Sequence, residues 1–162
     1  MTEPRLVDGA PALLFERLVD LEPLRPSEPQ PFRILSPKDL RSSIIREVAR
    51  LLDTRRPVTA EEALDEQEAT VLEYGIPDVS FMRPASLDDR QLAAIVIARA
   101  IRAFEPRLTE VKVKVDRDPQ RHTGMVAVIS GIMVSGTVVE PVSFPMELHM
   151  KTEPQGTNEP LG

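Results

Sequence analysis

The chain has 162 residues, 41% of them hydrophobic, with one Tyr, no Trp and a formal net charge of −6. That is enough for one domain with an aliphatic core. The absence of Cys excludes a disulfide framework and thiolate metal sites. An acidic chain is also poorly suited to nucleic acid, which needs clustered Lys and Arg.

Met1 to Ala10 reads as a flexible start. Pro11 to Leu21 places Leu13, Leu14, Leu18 and Leu21 at helical spacing. This stripe either packs on its own domain or docks on a partner. Pro23, Pro26, Pro29 and Pro31 follow in a semi-extended linker, which lets the first helix sit away from the domain. No apolar run is long enough to span a bilayer, and the N-terminus lacks the basic start and apolar stretch of a signal peptide, so the expected location is cytoplasmic.

Ser36-Pro37-Lys38-Asp39 is a helix start: a capping serine, proline in the first turn, and an acid near the positive end of the dipole. Leu40, Ile44, Ile45, Val48, Leu51 and Leu52 form one face of this helix, which runs toward Pro57 with Arg55 and Arg56 near its end. Arg41, Arg46 and Arg50 lie elsewhere, on a solvated face. Thr59 to Tyr74 is acidic, with Thr59 capping a short turn and Leu64, Val71 and Leu72 as anchors to the core. Its carboxylates lack the spacing of a calcium loop and read as a solvated face.

Tyr74-Gly75-Ile76-Pro77-Asp78 is a structural loop, with Gly75 free to take positive φ and Pro77 fixing the next step. Ser86 opens the central helix. It is apolar almost all round from Leu92 to Phe104, which predicts burial on most sides. Glu105 precedes Pro106, a position pushed out of helical geometry, so the helix ends near Phe104. Val111, Val113 and Val115 then alternate with Lys112 and Lys114 as a half-buried strand. In extended chain, Glu105 and Arg107 share the valines' parity and Leu108 does not, which predicts a bend or bulge there.

Met125 to Val134 is apolar in both parities and reads as a strand covered on both faces. Val142, Phe144, Met146, Leu148 and Met150 alternate with polar residues as a strand with one wet face. Pro145 assigns that strand to an edge or a bulge. The tail from Lys151 to Gly162 is polar and reads as disordered. The fold class is therefore α+β, with N-terminal helices packed on a small antiparallel sheet from the C-terminal half. The expected domains are an N-terminal helix and proline-rich linker (1–31), a main domain (32–151) and a disordered tail (152–162).

The chemistry inventory is thin. No Ser sits in a Gly-x-Ser-x-Gly elbow, and no glycine-rich phosphate loop appears. His122 and His149 lack metal-ligand spacing. Glu105 is the one carboxylate worth weighing as catalytic, but it has no evident second carboxylate and no aromatic platform for a sugar. The expectation is no catalytic residue, no metal, no cofactor and no enzymatic activity. Glu105 and Arg107 can form an internal brace at the helix-to-strand corner or a charged pair that meets a partner. An acid at a helix C-terminus needs a positive neighbour in either case.

A helix ending in Phe-Glu-Pro-Arg-Leu and entering a Val-Lys-Val strand resembles the phage baseplate wedge and sheath-initiator (TssE-like) family. Leu13 to Leu18, Arg41 to Pro57 and Tyr74 to Ser80 resemble that family's N-terminal segment, first long helix and Tyr-Gly-Leu-Pro-Asp loop, in the same order. The resemblance implies a structural baseplate subunit of a type VI secretion system, a contractile injection machine. It implies wedge partners TssF and TssG, sheath partners TssB and TssC, and sheath initiation by strand addition. Partner-facing residues would be Glu105, Pro106 and Arg107 with Leu14, Phe15 and Leu18. Tyr74, Gly75 and Pro77 would form a structural loop. Neither nucleic acid nor membrane insertion is implied. The same fold family includes IraD-like anti-adaptors, so a regulatory binding module is the alternative. Neighbouring sheath and spike genes would separate the two.

Overall fold

A computed structural model describes residues 9–18, 24, 34–66, 69–120 and 124–148. Within these, short strands β1 (Ala10–Pro11) and β2 (Ile34–Leu35) pair antiparallel, with helix α1 (Leu14–Leu18) between them in the chain. Helix α2 (Pro37–Asp53) follows, then β3 (Arg55–Arg56), α3 (Ala60–Asp65), a single 3₁₀ turn over Val71–Glu73, and β4 (Ile76–Pro77). Helix α4 (Leu87–Phe104) leads into β5 (Leu108–Arg117), β6 (Met125–Ser135) and β7 (Val138–Leu148), an antiparallel sheet in the order β5-β6-β7. The architecture is α+β. His122, His149, Met150, Leu21, most of the proline-rich linker and the C-terminal tail lie outside the described residues.

The helix starts follow their local chemistry. Ser36 and Ser86 each accept a hydrogen bond at 3.2 Å from the backbone N–H of an aspartate three residues on, Asp39 and Asp89. Thr59 and Glu62 form a full capping box at α3. The core is a sandwich of α2 and α4 against one face of the sheet. It is built from Leu40, Ile44 and Val48 of α2, Ile97 and Ile101 of α4, and Ile129 and Phe144 of the sheet.

The structure differs from the sequence expectations in several places. Ala10 is fully buried and belongs to the core, so the start of the chain is packed as far back as that residue. Gly9 donates to Thr137 Oγ1 at 2.9 Å, which straps this segment onto the β6–β7 turn. Helix α1 is shorter than the expected span and buries none of its side chains. Helix α2 stops at Asp53, capped by Thr54, rather than running to Pro57. Arg55 and Arg56 instead pair in parallel with Ile76 and Pro77. Gly75, at φ 114°, lies where a Cβ would meet Thr54 O at 2.7 Å, so only glycine lets β4 approach the end of α2.

Val71 and Leu72 do not anchor their segment; both are exposed, and the core contacts come from Leu64 and the buried Ala60 and Ala63. Helix α4 is buried on most sides, as expected, with Ile95 the large apolar side chain of the Leu92–Phe104 stretch that faces outward. The outer face of β6 is open. Val128 and Val134 are exposed there, where two covered faces were expected. No helix among the described residues is long and apolar enough to cross a membrane.

Candidate functional site

The corner between α4 and β5 is built by its own sequence. Glu105 N–H still bonds Ile101 O at 2.8 Å, but Glu105 has left helical geometry at φ −123°. Pro106 cannot continue the helix. Leu108 N–H closes the turn on Glu105 O at 3.0 Å. The turn folds Arg107 back onto Glu105 in a two-pronged ion pair, Nε to Oε1 at 2.7 Å and Nη2 to Oε2 at 2.6 Å. Both residues are buried, at 3% and 8% exposure. Of the two arrangements open from the sequence, the internal brace is the one this chain adopts, while Pro106 stays exposed. The positive neighbour that an acid at a helix C-terminus requires is Arg107 itself.

The bulge that Leu108's parity implied is present. The β5–β6 register shifts between Thr109 and Lys112, and Glu110 sits at φ 51°. Arg102 supports it by donating to Val111 O at 2.7 Å. Arg107 O accepts from Val134 N–H at 2.8 Å, which ties the corner to β6.

Two residues that the sequence reading passed over complete the polar network. Ser43 lies on the buried face of α2 and accepts from Arg107 Nη1 at 2.8 Å. It also hydrogen-bonds Glu16 of α1. Glu16 in turn accepts from Leu13 N–H at 3.0 Å and pairs with Arg46 of α2. Burial disfavours the charged form of Glu16, but the bonds from Leu13, Ser43 and Arg46 outweigh it and hold its carboxyl below the usual range. A continuous run Glu105–Arg107–Ser43–Glu16–Arg46 thus joins the corner to α1. The available signal was a small polar side chain on the apolar face of α2, one turn from Leu40 and beside Ile44. A buried hydroxyl there needs a partner.

Beside the corner is a surface depression of about 130 Å³ lined by Leu13, Leu51, Tyr74, Phe104 and Pro106, with the charged Glu47, Glu105 and Arg107 also at its wall. Tyr74 and Phe104 meet edge to face, with ring centroids 5.3 Å apart. Burial, helped by the Glu47 carboxylate, pushes the Tyr74 phenol upward. Of the expected site residues, Glu105, Pro106, Arg107 and Tyr74 therefore gather around one depression. Gly75 and Pro77 are buried behind it. Leu14, Phe15 and Leu18 do not line it. They project outward from α1 at 64%, 79% and 70% exposure. The depression and the outward side of α1 both present apolar side chains, with the polar brace behind them.

The sequence profile of the baseplate wedge protein gp25 family matches residues 38–137, more than half of the chain. A solved chain described as "The baseplate complex from the type VI secretion system" is similar in fold, with a TM-score of 0.50 and 17% sequence identity. That likeness covers 70% of this chain and 97% of the other. No curated protein matches the chain.

Proposed function

We propose that this chain, which belongs to the baseplate wedge protein gp25 family and so has the structural role of a baseplate component, works in a type VI secretion system. In this reading it joins the wedge to the contractile sheath and starts sheath polymerisation by adding strands to its own sheet. The observation that carries the reading is the family match over α2 to the β6–β7 turn, the span that contains the braced corner and most of the sheet. The fold likeness to a chain from a type VI baseplate complex supports it. The role is structural rather than catalytic, and it is carried out in the bacterial cytoplasm within a membrane-docked baseplate.

The apolar features and the sheet divide the work. Leu14, Phe15 and Leu18 on α1, and the depression beside Glu105, Pro106 and Arg107, face the wedge subunits TssF and TssG. The sheet faces the sheath proteins TssB and TssC. Leaving three large apolar side chains in water on one short helix is the arrangement expected of a segment that is covered on assembly.

Co-expression of the full chain with TssF, TssG, TssB and TssC tests this. The expected result is one co-migrating complex that contains the wedge subunits and nucleates sheath. Separate migration of the chain from all four under gentle conditions would overturn the reading.

A further inference from the structure

We infer that the strand-accepting edge of the sheet is β5 from Lys112 to Arg117, not β7, and that its occupant is an extended segment of alternating apolar and acidic residues. This rests on the reading of the chain as a site of sheath strand addition. It assigns which edge is used and what chemistry fits it.

In an antiparallel ladder, alternate residues turn both N–H and C=O toward a given neighbour, and those between turn both away. Val134 N–H bonds Arg107 O, so the even-numbered residues of β6 face β5. Ser130, Val128 and Val126 are of that set, and they pair with Lys112, Lys114 and Asp116. Val113, Val115 and Arg117 therefore turn their backbone groups to the open side of β5. The odd-numbered residues of β6 face β7 and pair with its even-numbered residues, for example Ile129 with Phe144. Val139, Pro141, Ser143, Pro145 and Glu147 therefore form the open side of β7.

The two edges then differ sharply. On β7, Pro141 and Pro145 remove two of the outward donors. Arg41 of α2 donates to the outward carbonyl of Ser143 at 3.0 Å, filling the acceptor between them. This is an edge protected against pairing. On β5, no proline interrupts the strand. The outward carbonyl of Val111 is taken by Arg102, and the bulge at Glu110 ends the ladder there. Beyond it, no hydrogen bond within the described residues uses the backbone of Val113 or Val115. The template is thus one short, regular stretch with a fixed start.

Side chains specify the occupant. Val113 is only half-buried and packs at the margin of the core, so an apolar residue opposite it would complete the inner layer. Lys112 and Lys114 are exposed on the outer face of the same strand, ahead of Asp116, which pairs with Lys114 at 2.6 Å. Acidic residues opposite them are favoured as cross-strand partners.

The chain has no cysteine, so Lys114→Cys and Ser143→Cys each carry a single thiol at one of the two edges. Each full-length variant is assembled with TssF and TssG, labelled with a thiol-linked photo-cross-linker, and offered purified TssB and TssC. The expected result is sheath adduct from Lys114→Cys at about tenfold or more over Ser143→Cys, the scale set by losing a backbone hydrogen bond or two. Val113→Pro removes an outward donor without touching the β5–β6 ladder. It should stop sheath seeding while keeping the wedge subunits bound and the melt close to wild type. Adduct mainly from Ser143→Cys overturns the edge assignment. So does an adduct with a second copy of this chain, or seeding by wild type with no adduct at either edge. If Val113→Pro unfolds, the cysteine pair alone decides. If wild type binds the wedge but neither binds nor seeds sheath, the strand-addition reading itself falls, which is a different result from a wrong edge.

Discussion

Helix α1 and the Glu105–Arg107 corner sit at opposite ends of one polar network and are held in opposite ways. The corner is a buried ion pair with two direct contacts, a serine behind it and a backbone bond to β6. Helix α1 has no buried side chain and is held to α2 largely through one carboxylate, Glu16. The contrast separates two uses of charge. At the corner, charge fixes the fold, because a stranded partner has nowhere to go. At α1, charge sets a pose while leaving the apolar side chains free to be covered by something else.

That comparison can be broken at several points. Removing one half of the buried pair, Arg107→Ala, should cost about 3–5 kcal/mol of stability, read by denaturant melts, because Glu105 is left charged and buried. A wild-type melt would mean that the corner is as loosely held as α1. Ser43→Ala removes the link between the regions and should cost about 1–3 kcal/mol, since Arg107 Nη1 loses its acceptor. It should also raise hydrogen exchange at Leu13 and through α1.

A double-mutant cycle of Arg107→Ala with Glu16→Gln sharpens the point. A coupling above about 0.5 kcal/mol shows that the two ends act as one unit through Ser43. Glu16→Gln alone should cost about 0–1 kcal/mol, as expected for a partly exposed pair. The same contact responds to acid. Folding lowers the Glu16 pKa, so its contribution is fully present above the unfolded value and is lost as pH falls through the folded one. Exchange protection of α1 should therefore fall in acid, below the ordinary carboxylate range, before the sheet melts. The smallest effect on folding is expected from Leu14→Ser, Phe15→Ser and Leu18→Ser, each within about 0.5 kcal/mol of wild type. The same three variants should weaken capture of TssF and TssG in pull-downs, with the loss largest for Phe15→Ser.

Much of this was legible in the sequence where a feature is local. Pro106 ends α4 two residues ahead of itself, Ser36, Thr59 and Ser86 cap the helices they precede, and the alternation of β5 and β7 gives their buried faces. The parity break at Leu108 disclosed the bulge. Features that depend on distant residues were not legible. Val71 and Leu72 have the hydrophobicity of anchors but sit on a short turn that does not reach the core. Arg55 and Arg56 have the charge of a helix C-terminus, yet the glycine at 75 brings a second segment alongside and makes them a strand. The apolar outer face of β6 was read as covered because periodicity reports hydrophobicity, not what lies on top. At the site, Glu105 and Arg107 stood out by their motif. Ser43 and Glu16 did not, because their importance arises from helices that meet only in three dimensions.

The strap between Gly9 and Thr137 has a consequence for biosynthesis. Its two ends are 128 residues apart in the chain. During translation the segment around Gly9 emerges well before the β6–β7 turn and cannot be fastened until that turn has left the ribosome. For most of that time the leucines and phenylalanine of α1 are tethered to a nascent chain with no folded domain to hold them in place. A ribosome stalled between α4 and β6 would display that apolar segment on an unfinished protein, open to chaperones but not yet set in the pose for assembly.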